Sequence, residues 1–311
     1  MIEGQFGVTW PQWQALARAA EDHGLEALFR SDHYESGNDR AEKGSLDAWA
    51  TLAGLATITS RLRLGTLVSP ATFRHPSVLA RNAVTVDHLS GGRVELGIGT
   101  GWWELEHRRY GFPFPPIGER MDVLAEQLAV VAGHWADGPF SFDGEHYRVE
   151  DLDAQPKPVQ RPRPPLVMGG AARRRSAELA ARYADEYNLV FATPEECREA
   201  RPRLDEACRR VGRDPATLGY SLMTGTVIGR DSADLQWRVE RLAAHAGISP
   251  TVEALRKDMG EGSLVGTVDE VAARLEEYRA AGIGRVMFQH QITEDTDAVE
   301  IIGRDLAARL R

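Results

Sequence analysis

Apolar residues along this chain switch repeatedly between two periods. Short stretches in which they alternate or cluster predict strands at Met1–Gln5, Leu25–Arg30, Arg63–Val68 and from Val94 through Ile98. The same pattern predicts strands at Pro165–Met168, Glu186–Phe191, Tyr220–Gly229 and Arg285–Gln289. Between them, apolar positions recur three and four apart, as on one face of a helix. Pro11 opens the first such helix, with Trp13, Leu16, Ala17 and Ala20 on its stripe and Gly24 stopping it. Further helices are predicted at Asp47–Ser60, from His75-Pro76 to Ser90, and over Gly118–Ala136, Ala172–Ala184, Pro194–Val211 and Ser232–Ala246. Thr267 and Glu270 form a capping box for a helix that ends at Gly282, and Thr296–Leu310 is predicted to be the last.

Eight strands, each followed by a helix, require a parallel sheet. Over 311 residues the repeat favours one closed (β/α)8 TIM barrel, class α/β, over a doubly wound sheet. Residues 1–311 are read as a single domain. Insertions are expected after the fourth strand, where Asp143-Gly144 marks a hairpin over Phe140–Val149, and after the seventh. Barrel chemistry gathers at the C-terminal ends of the strands. Those positions hold Asp32-His33, followed by a polar loop, then Ser69–His75, a glycine run and Gly169-Gly170.

The glycine run is the most unusual feature. The fourth strand dissolves into Gly97, Gly99 and Gly101, and Trp102-Trp103 and a charged run from Glu104 to Arg109 follow. Alternating glycines weaken a strand and suit a place where something approaches the backbone. They predict the floor of a pocket for a flat ligand, with the tryptophans at its lip. The competing reading is a tight turn with both tryptophans in the core. Within the charged run, His107–Arg109 read either as a solvated helix face or as a reach toward a phosphate or acidic tail.

Composition removes several classes of function. A net charge of −9 argues against a nucleic-acid surface. No apolar run reaches the roughly 20 residues of a membrane span, and the N-terminus has no signal-peptide pattern. The two cysteines, Cys197 and Cys208, read as packed, reduced thiols of a cytoplasmic protein. The histidines show no metal-ligand spacing, so no metal is expected, and neither a nucleophile elbow nor a Gly-Lys-Ser/Thr phosphate loop is present.

Five segments taken in order resemble one superfamily. They are SDHY, LGTLVSPATFRHP, GGRVELGIGTGWWELEHRRYG, KPVQRPRPPLVMGG with ARYADEYN, and GTVDEVAARLEEYRAAGIGRVMF. Together they are similar to the bacterial-luciferase-like flavin and deazaflavin enzymes, and within these to the coenzyme F420-dependent oxidoreductases. The resemblance implies a barrel, commonly a homodimer, that holds the cofactor ring at the strand ends. It implies that Asp32 meets the ring edge, that His33 transfers protons, and that a non-proline cis peptide joins Leu67 and Val68 behind the ring. Gly99, Thr100 and Gly101 would flank the ring, and Gly169, Gly170 and Ala171 would offer N–H groups to the cofactor phosphate. Free N–H groups at a helix start suit an anion on physical grounds as well. Trp102 and Trp103 would line the substrate pocket.

Two departures qualify the likeness. Trp102 stands where the sugar-phosphate dehydrogenase branch has a glutamate, which argues against sugar-phosphate oxidation. The first strand is short for the family and should be a stub. The expected activity is hydride transfer between coenzyme F420 and a small organic substrate. The alternatives are an FMN-dependent monooxygenase using reduced flavin and O2, and a barrel that binds a ligand without catalysis.

Overall fold

A computed structural model describes residues 1–36, 44–246 and 249–310. The polar loop expected after Asp32-His33 falls partly on residues 37–43, outside the described residues. In chain order come α1 (Trp10–Asp22), β1 (Ala27–Arg30), α2 (Ala48–Ala56), β2 (Arg63–Thr66), β3 (Ser69–Pro70), α3 (Pro76–Ser90) and β4 (Val94–Gly99). Then follow α4 (Glu104–Tyr110), α5 (Ile117–Trp135), β5 (Phe140–Asp143), β6 (Arg148–Leu152), β7 (Leu166–Gly169), α6 (Arg174–Tyr183) and β8 (Glu186–Val190). The last third holds α7 (Pro194–Arg210), β9 (Gly219–Gly229), α8 (Ser232–Ala246), α9 (Val252–Met259), β10 (Leu264–Thr267), α10 (Val268–Ala280), β11 (Arg285–His290) and α11 (Thr296–Glu300).

The main sheet is parallel throughout, in the order β1-β2-β4-β7-β8-β9, with β11 continuing beyond β9. Ile2 bridges Arg30 on one edge and His290 on the other, which closes the sheet into a ring. The first strand is thus reduced to a single bridge, because Gly4–Phe6 turns at once into a 3-10 helix. Beside Ile2, a cavity of about 300 Å³ lies between the β1 and β11 edges, lined in part by Leu16, Leu28, Phe288 and Ile302.

Local chemistry explains the main helix boundaries. Pro11 sits in the first turn of α1, and Gln12 accepts a hydrogen bond from the Thr9 N–H at 2.8 Å. The stripe Trp13, Leu16, Ala17 and Ala20 is buried as its spacing predicts. The Thr267–Glu270 capping box is formed at the start of α10. β10 and α9 have no counterpart in the sequence pattern, and β10 adds to the far end of β9 as a four-residue strand. The closing helix is interrupted by a π-helical turn over Ile301–Leu306, where Gly303 packs on the His23 carbonyl.

Inside the ring, Phe29, Leu67, Val167, Met223 and Met287 form an apolar plug. Beneath it, where the strands begin, the interior is ionic. Arg285 reaches Glu95 at 2.8 Å and Glu186 at 3.3 Å, and Arg63 also pairs with Glu95. Burial opposes charge on Glu95, but Arg285 and Arg63 hold its carboxyl below the usual range. Glu186 is pushed up, by burial first, with Glu95 adding repulsion. No helix among the described residues is long and apolar enough to cross a membrane.

Candidate active site

The loop after β1 is anchored from below. Arg30, fully buried, donates to the Ser31 carbonyl at 2.9 Å, to Thr51 Oγ1 at 2.8 Å and to the Leu46 carbonyl at 3.0 Å. The next residue but one, Asp32, is 1% exposed. Its Oδ2 accepts from Ser69 Oγ at 2.7 Å and from Arg74 Nη1 at 2.6 Å.

His33 projects from the same loop toward α4. Its Nδ1 lies 2.7 Å from Glu106 Oε2, and Glu106 Oε1 accepts the N–H groups of Tyr34 at 2.6 Å and Glu35 at 3.1 Å. A carboxylate only accepts, so Nδ1 carries the proton of this contact and Nε2 is the nitrogen left for other partners. Burial opposes charge on His33, but the Glu106 hydrogen bond and charge, with Glu3 and Asp32 behind them, hold its pKa above the usual value. Trp102 and Trp103 meet the imidazole edge-on, with ring centres 5.8 and 5.9 Å away. The two indoles stack on each other at 14°, and Trp102 is 71% exposed. Trp102 is therefore not a core residue, against the reading that put both tryptophans in the core.

Next to this the glycines of β4 form a shelf packed closely on Thr66 and Val68. The Leu67–Val68 peptide is cis, as the resemblance implies. A Cβ on Gly99 would stand 2.7 Å from Val68 Cγ2, and one on Gly97 only 2.0 Å from the Thr66 carbonyl oxygen. Neither position can take a larger residue without moving the neighbouring strand end. Gly101 has φ +74° and faces Thr72 and His107. Thr100 stays at this edge, half-buried, its hydroxyl on the Gly101 carbonyl at 3.2 Å. Gly169 also borders Val68, so the ends of β2, β4 and β7 share one floor.

The third component is an anion-suited corner. Gly170 (φ +146°) and Ala171 lead into α6, whose N-cap Arg173 makes no side-chain capping bond. Contrary to the expectation for Gly170, its N–H is not free for a phosphate, because the Asn188 carbonyl of the neighbouring strand accepts it at 3.1 Å, and that of Ala172 goes to Tyr187 Oη at 2.9 Å. Arg175 ties this turn to the start of α5 by donating to the Gly118 carbonyl at 3.0 Å. Two residues further along α5, Arg120 lies 3.7 Å over the Phe114 ring. Its Nε and Nη1 are buried without a hydrogen-bond partner. A buried guanidinium with unfilled donors is costly. An anion would satisfy it.

The structure thus brings Asp32, His33, Leu67, Val68, the Gly99–Gly101 segment, Trp102 and Trp103 together, with Gly169–Ala171 along one side. The charged run after the tryptophans divides. Glu106 and His107 are buried, whereas Arg108 and Arg109 are exposed and Arg109 pairs with Glu35 at 2.8 Å. His107 Nδ1 meets the Trp103 carbonyl at 2.7 Å, and its Nε2 meets Thr72 Oγ1 at 2.6 Å. Burial lowers its pKa, which suits a neutral ring that donates from Nδ1 and accepts at Nε2. Glu106, Arg74 and Arg120 are site residues that sequence reading alone did not single out. A signal for Glu106 exists in the spacing Trp103, Glu106, His107, Tyr110, one face of a helix.

A closed parallel barrel with a glycine shelf and a carboxylate-backed histidine at its strand ends defines an enzyme-like site. The chain belongs to the luciferase-like monooxygenase family, which it matches over residues 3–285. It is 27% identical over 300 residues to the pyrimidine monooxygenase RutA of Stutzerimonas stutzeri (strain A1501), covering 88% of this chain and 82% of that protein. It is 32% identical over 222 residues to the F420-dependent hydroxymycolic acid dehydrogenase of Mycobacterium tuberculosis (strain ATCC 25618 / H37Rv), covering 70% of this chain and 59% of that one. Among solved structures, the coenzyme F420-dependent tetrahydromethanopterin reductase of Methanopyrus kandleri superposes with a TM-score of 0.81 at 21% identity, covering 100% of this chain and 98% of that one.

Proposed function

We propose that this chain is an oxidoreductase that moves a hydride between coenzyme F420 and a small organic substrate. The observation that supports it best is His33, a proton-transfer group backed by Glu106, standing at the edge of a flat glycine shelf beside the Trp102–Trp103 stack. The residues suit such a cofactor. Gly97 and Gly99 let Val68 pack close against the end of β4, a side-chain-poor strand end suited to a planar ring, with Asp32 buried beside it. The unpartnered guanidinium of Arg120 suits its phosphate, whereas the Gly170 N–H is already spent on the Asn188 carbonyl. When bound, the deazaflavin supplies the hydride chemistry, and the protein supplies position and charge.

His33 Nδ1 is committed to Glu106, so proton exchange with the substrate runs through Nε2. The exposed face of Trp102 gives a flat, uncharged surface for the substrate. No carboxylic acid stands at that position, so His33 is the proton donor.

The second reading is an FMN-dependent monooxygenase, favoured by the likeness to the pyrimidine monooxygenase. Fluorescence titration of the purified protein with F420 and with FMN decides between them. The expected result is tighter binding of F420. Equal or tighter binding of FMN moves the assignment to the monooxygenase. Light scattering of the same sample tests the accompanying proposal of a homodimer.

A further inference from the structure

The guanidinium of Arg74 grips the residues on both sides of His33. Nη1 donates to Asp32 Oδ2 at 2.6 Å, and Nη2 lies 3.1 Å from Asp32 Oδ1 and 2.7 Å from Tyr34 Oη. Asp32 precedes His33 and Tyr34 follows it. Nη2 also reaches Asp47 Oδ2 at 2.8 Å, and Asp47 is the N-cap of α2. The Arg74 backbone is fixed in turn, because Gln127 of α5 donates to its carbonyl at 2.9 Å. The Arg74 side chain is 11% exposed and that of Asp32 1%, so these bonds form largely out of water. Paired, charge-assisted contacts of this kind fix direction as well as distance.

The geometry points to Arg74 as the positioning residue of the site: by holding Asp32 and Tyr34 it fixes the backbone from which His33 reaches Glu106. This rests on reading His33 as the proton-transfer group. Arg74 itself touches neither His33 nor the shelf. It acts across the loop from the Glu106 side, where the Tyr34 and Glu35 N–H groups are held. His33 is thereby fixed from two directions, by groups from α4 and from the loop before α3.

The test reads His33 directly and needs neither cofactor nor substrate. Histidine imidazoles are labelled with nitrogen-15 in the full chain, and His33 is identified by the signal missing from His33→Gln. Wild type should show one tautomer, with the proton on Nδ1, and a titration midpoint above the usual ~6.5. The charged groups acting on that midpoint are Glu106, Glu3 and Asp32. In folded Arg74→Met, the tautomers should average and the midpoint should move back toward the usual value. Arg74→Lys, which keeps a charge but loses the fork, should fall between the two. Unchanged His33 signals in folded Arg74→Met overturn the proposal. If that variant does not fold, Tyr34→Phe and Arg74→Lys take its place, and wild-type signals in both overturn it equally. A wild type that binds neither F420 nor FMN defeats the functional reading but leaves this measurement intact.

Discussion

His33 Nδ1 and Glu106 Oε2 lie 2.7 Å apart, although 73 residues separate them in the chain. One comes from the end of β1 and the other from the short helix after β4. A contact between two strand ends therefore sets the direction of the imidazole and supports its charge. Glu106 is fully buried, so the pair is shielded from solvent screening.

Glu106→Gln should lower the His33 midpoint and make stability less dependent on pH. The folded-state pKa of His33 is raised. The pair's contribution is therefore fully present below the unfolded value near ~6.5 and is lost as pH rises through the folded value. Thermal melts should show a wild-type advantage near pH 6 of about 1.5–3 kcal/mol, the scale of a hydrogen bond to a charged group. That advantage should shrink on the alkaline side. A difference independent of pH would mean that Glu106 serves only the Tyr34 and Glu35 N–H groups.

His33→Ala should reduce turnover by about 10²-fold or more, the usual scale for general acid–base catalysis. Cofactor affinity should change little, because His33 stands beside the shelf rather than in it. Near-normal turnover with a lowered Tm would leave His33 a structural residue.

Arg120→Met separates binding from stability. It removes a buried charge whose Nε and Nη1 have no partner, so Tm should hold or rise. The same change should weaken cofactor binding at least tenfold, since a charge-assisted bond contributes about 1.5–3 kcal/mol. Calorimetric titration that gives wild-type affinity would place the cofactor anion elsewhere.

At the base of the barrel, Arg285 faces Glu95, Glu186 and the more exposed Glu26, and the more buried groups of this cluster should respond differently to substitution. Glu186 has a raised pKa, so its charge destabilises the fold increasingly as pH rises above the unfolded value. Glu186→Gln should be nearly neutral or stabilising at pH 7. Arg285→Met should cost about 3–5 kcal/mol, because it leaves the mostly buried Glu186 carboxylate without its arginine and Glu95 with Arg63 alone. Urea melts of both variants at pH 5 and 7 check this ordering. Equal losses for the two would contradict it.

The fold was legible because its signals are local. Eight alternations of period, the Thr267–Glu270 box and the glycines of β4 can each be read within a few residues. The resemblance supplied the cis peptide at Leu67–Val68 and the stub at Ile2. Much of the site was not local. Arg74 meets Asp32 across 42 positions, and Glu106 meets His33 across 73. Nothing adjacent to either residue announces its partner. Glu106 also sits among Glu104, Arg108 and Arg109, which do face solvent, and that hid its burial. Arg120 was illegible for a different reason: a surface arginine and a buried one with unfilled donors look alike until the surrounding chain is placed.

The single-residue bridge at Ile2 also bears on how the molecule moves. The seam between β1 and β11 is joined through four main-chain bonds, Ile2 N–H to Phe29 O at 2.9 Å, Ser31 N–H to Ile2 O at 3.1 Å, Met1 ammonium to Phe288 O at 2.8 Å and His290 N–H to Met1 O at 3.0 Å, with side-chain bonds of Ser31 and Gln289 beside them. By contrast, β11 meets β9 over six registered residues. A ring opens first at its weakest joint, and amide hydrogen exchange reports the free energy of that opening. The amides of Ser31 and His290 should then exchange faster than the amides that pair β9 with β11. Asp32 and His33 follow Ser31 directly, so the loop bearing His33 begins at that seam. Arg74 and Glu106 hold that loop by bonds that do not cross the seam, so opening the seam would leave them in place.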